Sequence, residues 1–177
     1  MIVYLDTSSL VKLYVEEIDS EKIKGFVRDA ATVSTSKIAY AEARAAFAKK
    51  QKEEGFSLRV LRKIVEDLNG DWESYFVIEI TDGLIRFAGD IAEKYLLRGF
   101  DSIHLASAIH LKNKSGSATY FSSYDTRLNQ SAEKEGIILL SRYFDGAKPH
   151  PSGWSEKRRS VSTLSKPRAL DLGKSKG

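Results

Sequence analysis

The sequence predicts an α/β fold of three layers, with helices on both sides of a central, mainly parallel sheet. Three observations predict it. Short runs that suit strands alternate with longer runs of helical periodicity. The strand runs are apolar on both faces, as in "YFVIEI" at 75–80, so each needs cover above and below. With 177 residues, 42% apolar and 29% charged, the chain is long enough for one sizeable core and ordinary for a globular domain.

The elements follow in order. Residues 2–5 read as a strand, then 9–15 and 20–28 as two short helices. "TVST" at 32–35 is a short β-prone run that ends in possible caps. Residues 38–53 form an alanine-rich helix whose small side chains admit a close neighbour. At 58–68, Leu58, Leu61, Ile64, Val65 and Leu68 recur at helical spacing. A strand at 75–80 leads to a helix at 82–97, in which Leu84, Ile85, Ala88, Ile91, Ala92 and Tyr95 share a register. A further helix covers 102–112, a strand 118–123, and a helix 126–134 that ends with Gly136 at the C′ position. A last strand occupies 137–141. No internal repeat interrupts the series.

Composition narrows the function classes. There is no cysteine, which excludes disulfides, thiolate metal sites and a Cys nucleophile. The first residues lack a basic region and their apolar run breaks at Asp6, unlike a signal peptide. No apolar stretch is long enough to span a membrane. The expected location is the cytoplasm. The net charge of +4 divides unevenly: residues 145–177 hold eight basic and three acidic side chains, leaving −1 on the rest. All three prolines lie in that last stretch too. The chain is therefore expected to be a domain over 1–143 with a basic, Pro/Ser/Gly-rich tail over 144–177. The tail suits contact with a nucleic-acid backbone or a merely solubilising role.

Four carboxylates stand in unusual places. Asp6 ends the first strand, where a parallel sheet puts its ligands. Asp125, in "YFSSYDTRL", likewise stands between a strand and a helix. Asp101 opens the markedly apolar helix of "LRGFDSIHLASAIHL". Each of the three also suits a helix N-cap. Glu42, in "SKIAYAEARAAFAKK", is inside a helix on or beside the alanine face, where no cap applies. Close carboxylates repel and take up protons unless a cation holds them ionised. Hard cations such as Mg²⁺ or Mn²⁺ favour oxygen ligands. The chemistry that uses such a site is phosphodiester hydrolysis.

Four segments carry a family resemblance: "VYLDTSSLVKLY", "STSKIAYAEARAAF", "LRGFDSIHLASAIHL" and "YFSSYDTRLNQSAEKEGI". In order and spacing they resemble the PIN-domain ribonucleases, of the kind that serve as toxins in VapBC toxin–antitoxin pairs. The resemblance covers residues 1 to about 143. It implies a PIN-like three-layer fold and an endoribonuclease dependent on Mg²⁺ or Mn²⁺. Asp6, Glu42 and Asp101 would be its core metal-binding carboxylates, with Asp125 as the fourth. Ser123 matches a supporting hydroxyl, though the family more often has Thr there. Thr7 and Ser8 would position Asp6 or a phosphate through backbone N–H groups at the helix start. An RNA substrate, a cognate antitoxin and a homodimer are implied as partners.

Other residues attract weaker readings. His104 lies one turn after Asp101 and is expected to be a packed, hydrogen-bonded histidine. Lys12, Arg44 and Arg98 are candidate RNA-backbone contacts, or simply solvated helix charges. Trp72, Tyr75 and Phe76 read as core or interface. Four rival functions stay open. A haloacid-dehalogenase-like phosphatase would want Asp where Ser8 stands, and a receiver domain would want a second strand-end Asp with a late-strand Lys. A housekeeping PIN nuclease in RNA processing, or an inactive RNA- or protein-binding module of the same fold, would share most of these residues.

Overall fold

The structure, a computed structural model, describes residues 1–144; the tail expected beyond them lies outside the described residues. Five strands form one sheet in the order β3-β2-β1-β4-β5, and every pair is parallel. They are β1 (Ile2–Leu5), β2 (Thr32–Ser36), β3 (Phe76–Ile78), β4 (Thr119–Ser122) and β5 (Ile138–Leu139). Between them run α1 (Thr7–Val11), α2 (Ser20–Asp29), α3 (Ile38–Glu54), α4 (Leu58–Trp72), α5 (Asp82–Tyr95), α6 (Gly99–Ser115) and α7 (Thr126–Lys134), and a 3₁₀ turn, Leu140–Tyr143, follows β5. This is the three-layer α/β/α fold expected.

The strand residues explain the layers. Along β1, Val3 and Leu5 enter a core with Leu10, Ile23, Phe26, Phe47, Ile64 and Leu68, which come from α1 to α4. Tyr4 points the other way and joins Leu84, Ile91, Leu105, Ile109, Phe121 and Leu128, from α5, α6, α7 and β4. Side chains alternate across a strand, so a strand apolar at every position holds a helix layer on each face. α6 is the most enclosed helix: Ser102 through Ile109 are all buried. Its apolar residues therefore run round the helix instead of forming one stripe.

Helix ends differ from expectation by local capping. The helix expected at 9–15 starts at Thr7 and stops at Val11, because Asp6 caps it through the Ser9 N–H. Leu13 and Tyr14 then bond back to Leu10 and Val11 by three-residue turns, which keeps both side chains buried. α6 starts at Gly99, so Asp101 sits in its first turn and is not its cap; Arg98 holds that position. β3 and β5 are shorter than expected, each being an edge strand paired on one side. Trp72 and Tyr75 pack against the α1–α4 core, while Phe76 on the edge strand is 55% exposed.

Strand order reverses between β1 and β4. From β1 the chain builds outward through β2 to β3, then crosses back to β4 on the other side. The carboxyl ends of β1 and β4 thus flank the crevice where open α/β sheets bind ligands. Asp6 follows β1 directly, and Ser123, Tyr124 and Asp125 follow β4. The two ends are tied by the Asp6 N–H donating to the Ser122 carbonyl at 3.0 Å.

Candidate active site

Asp6 is the best-held of the four carboxylates. It is 5% exposed. Ser8 Oγ and the Ser9 N–H donate to its Oδ1 at 2.8 and 3.0 Å, and Ser123 Oγ donates to its Oδ2 at 2.7 Å. Burial pushes its carboxyl above the ordinary range, although the His104 ring and these three donors pull the other way. The cap and the buried carboxylate are the same residue, so the two readings of Asp6 do not exclude each other. Ser8 reaches Asp6 through its hydroxyl, and the backbone N–H that Asp6 accepts from is that of Ser9.

Glu42 reaches the same region from α3. Thr7 Oγ1 donates to its Oε2 at 2.6 Å, and His104 Nε2 lies 2.9 Å from the same oxygen. The Thr7 hydroxyl therefore holds Glu42, a side-chain contact beside the backbone role expected of this residue. Burial raises the Glu42 carboxyl, but the His104 and Thr7 hydrogen bonds outweigh it and hold it below the usual range. Both donors fall on Oε2, which leaves Oε1 for the site.

His104 is packed, as expected, and it also links two layers. It is 2% exposed. Its Nδ1 lies 3.0 Å from the Tyr4 hydroxyl, and burial keeps that phenol protonated. The Glu42 carboxylate can only accept, so Nε2 carries a proton toward it, while Nδ1 and the Tyr4 hydroxyl share the second hydrogen bond. Tyr4 is a supporting residue that sequence reasoning missed. Its only signal was a hydroxyl on an otherwise apolar core strand.

Asp101 and Asp125 come from the opposite layer. Burial raises the Asp101 carboxyl first, then the charges of Asp125 and Asp6, against Arg98 and His104. The charges of Asp125 and Asp6 are thus felt at Asp101. Asp125 caps α7, accepting from the Leu128 N–H at 2.7 Å. Its own N–H donates to Ser123 Oγ at 3.0 Å, so one hydroxyl links Asp6 to Asp125.

The donors around the crevice are all carboxylate and hydroxyl oxygens, which suits a hard divalent cation. A cation would also relieve the repulsion felt at Asp101. Among the described residues, no three His, Asp or Glu side chains are gathered as a ready metal cluster. The basic candidates divide. Lys12 is buried, with its ammonium 2.7 Å from Glu17 Oε2. Arg44 is exposed and donates to the Tyr40 hydroxyl at 3.0 Å. Arg98 is exposed beside Asp101.

Known proteins resemble this chain over most of its length. Two relatives from Mycobacterium tuberculosis, Ribonuclease VapC45 of strain CDC 1551 / Oshkosh and Ribonuclease VapC49 of strain ATCC 25618 / H37Rv, are each 29% identical over 144 residues, 81% of this chain and 98% of theirs. The crystal structure of PAE2754 from Pyrobaculum aerophilum superposes with a TM-score of 0.51 at 17% identity, over 80% of this chain and 90% of that one, a likeness of fold. Residues 3–134 match the family model described as the PIN domain, and the chain belongs to the PIN-domain family.

Proposed function

We propose that the chain is a divalent-metal-dependent endoribonuclease and the toxin of a toxin–antitoxin pair. The observation that carries this reading is the Asp6 carboxylate, buried at the switch point of the sheet and held by three donors beside two further acids. Relatives named as VapC ribonucleases along nearly their whole length support the RNA substrate and the toxin role. Asp6, Glu42 and Asp101 hold the cation, Mg²⁺ or Mn²⁺, and Asp125 completes the acidic set. When bound, the cation supplies a water acidified toward hydroxide and neutralises charge on the attacked phosphate.

The chain's own residues supply orientation. Ser8, Ser9 and Ser123 fix both oxygens of Asp6, so little reorganisation remains when substrate arrives. Thr7 and His104 keep Glu42 ionised at neutral pH through its Oε2, and Oε1 is left to the cation. Tyr4 holds the His104 ring from behind. Arg98, exposed at the start of α6, meets the RNA backbone, and Arg44 is the second such candidate. A homodimer, a cognate antitoxin and a cytoplasmic location complete the reading; among the described residues, no helix is long and apolar enough to cross a membrane.

The deciding experiment is RNA cleavage by the purified chain with Mg²⁺ or Mn²⁺, beside EDTA and Asp6→Asn controls. Asn at position 6 keeps the cap and loses the charge. Cleavage that needs the metal and disappears in Asp6→Asn is the expected result. No cleavage with either metal, together with no metal binding by calorimetry, would sink the reading.

A further inference from the structure

Tyr124 lies between Ser123 and Asp125, at the end of β4 that frames the crevice. Several contacts fix it. Its N–H donates to Ser8 Oγ at 2.9 Å, and that hydroxyl donates to Asp6 Oδ1 at 2.8 Å. Lys12 Nζ lies 4.1 Å from the centre of its ring. Its phenol stands near the Asp19 and Glu17 carboxylates. Lys12 is itself pinned, donating to Glu17 Oε2 at 2.7 Å and to the Ile18 carbonyl at 3.1 Å.

The ring is nevertheless open to solvent. Tyr124 is 38% exposed, whereas Lys12 is only 6% exposed. Lys12 covers one face of the ring, which leaves the opposite face as the surface a planar ligand could meet. An exposed aromatic that a cation already fixes has little rotamer freedom left to lose on binding. The same two serines that flank Tyr124's contacts, Ser8 and Ser123, hold Asp6. The Tyr124 backbone is thus anchored through Ser8 to the carboxylate that a phosphate would meet. Stacking suits the task because every base has a π-face.

We propose that Tyr124 is a stacking platform for the nucleobase next to the scissile phosphate, in a subsite whose inner wall is Lys12. The inference rests on the ribonuclease reading and deepens it. It gives Lys12 a part in RNA binding through the ring it supports. It also makes that position tolerant of base identity, with stronger binding for purines because of their larger faces.

The test compares the full chain with Tyr124→Ala, Tyr124→Leu and Tyr124→Phe. Binding of short fluorescent single-stranded RNAs is read by anisotropy with Ca²⁺, and cleavage is followed with Mn²⁺. In a matched set of RNAs, one abasic position is stepped along the strand. Tyr124→Ala is expected to weaken binding roughly 5- to 150-fold, raising KM more than it lowers kcat, and Tyr124→Phe to restore most of the loss. One abasic position should weaken the wild type by a similar factor and leave Tyr124→Ala unaffected, the coupling a mutant cycle isolates. Equal binding by wild type and Tyr124→Ala overturns the platform, and so does an abasic penalty identical in both. Should Tyr124→Ala not fold, Leu against Phe decides: equal affinity overturns the proposal, and weaker binding by Leu supports it. If the wild type cleaves RNA but Tyr124 is indifferent, only the platform falls. If the wild type neither binds nor cleaves RNA, the ribonuclease reading falls and the platform with it.

Discussion

Thr7 and Asp101 show how single residues set the charge state of the crevice. Thr7 Oγ1 donates to Glu42 at 2.6 Å, and only a hydroxyl can do so from that place. Thr7→Val keeps the shape and removes the donor, so Glu42 should titrate higher. The expected loss is about 10- to 100-fold in metal affinity, the usual effect of removing a ligand's supporting partner. Calorimetric titration with Mn²⁺ measures it. Asp101 works in the opposite sense. Its folded carboxyl is raised by burial and by Asp125 and Asp6, so ionising it costs stability. That cost is fully present above its folded value and vanishes as pH falls below its unfolded one. Asp101→Asn should therefore raise the Tm of the metal-free protein at neutral pH, and the gain should fade in acid. A lower Tm at neutral pH would contradict the repulsion.

At the scale of elements, backbone geometry decides more than propensity does. Gly136 follows α7 with φ +68°, and a Cβ there would stand 3.2 Å from Lys112 Nζ. Gly70 is in the exposed part of α4 with open space around it. Gly70→Ala should stabilise the protein by about 0.5–1 kcal/mol, whereas Gly136→Ala should destabilise it by a similar amount or more. Urea unfolding of the two variants gives both signs in one experiment. The same contrast explains what the sequence could disclose. Strand and helix order was legible because apolar periodicity is a local signal, and the C′ role of Gly136 was legible for the same reason. The site was half legible. Asp6 and Asp125 announce themselves at strand ends, whereas Ser123 entered only through the family resemblance. The Glu42–His104 contact joins residues 62 apart and the Tyr4–His104 contact residues 100 apart, so no local pattern encodes either. Thr7 and Ser8 were found, but their roles depend on which way each hydroxyl turns, and only the packed crevice fixes that.

Across the whole molecule, charge binds the layers on one side as hydrophobic burial binds them on both. Glu17, between α1 and α2, accepts from Lys12 at 2.7 Å and pairs with Lys50 of α3 at 2.5 Å. Lys50 also reaches Glu54 at 3.1 Å. Burial raises the Glu17 carboxyl, but the bonds and charges of the two lysines outweigh it and bring it below its ordinary value. A depressed carboxyl contributes stability that is present above the unfolded value, about 4.3, and lost as pH falls through the folded value. The wild type should thus lose this contribution in acid. Glu17→Gln should lower the Tm at neutral pH and narrow its gap to the wild type as pH drops toward 3. The mutation also leaves Lys12 charged in a buried place without its partner, which enlarges the neutral-pH loss. Because Lys12 lies under the Tyr124 ring, Glu17→Gln has a second readout that stability alone does not supply. If the lysine positions the ring, RNA affinity should fall in the folded variant at neutral pH, where thermal unfolding is still far away. A Tm gap that stays constant from neutral pH to acid would show that Glu17 is not the linked group.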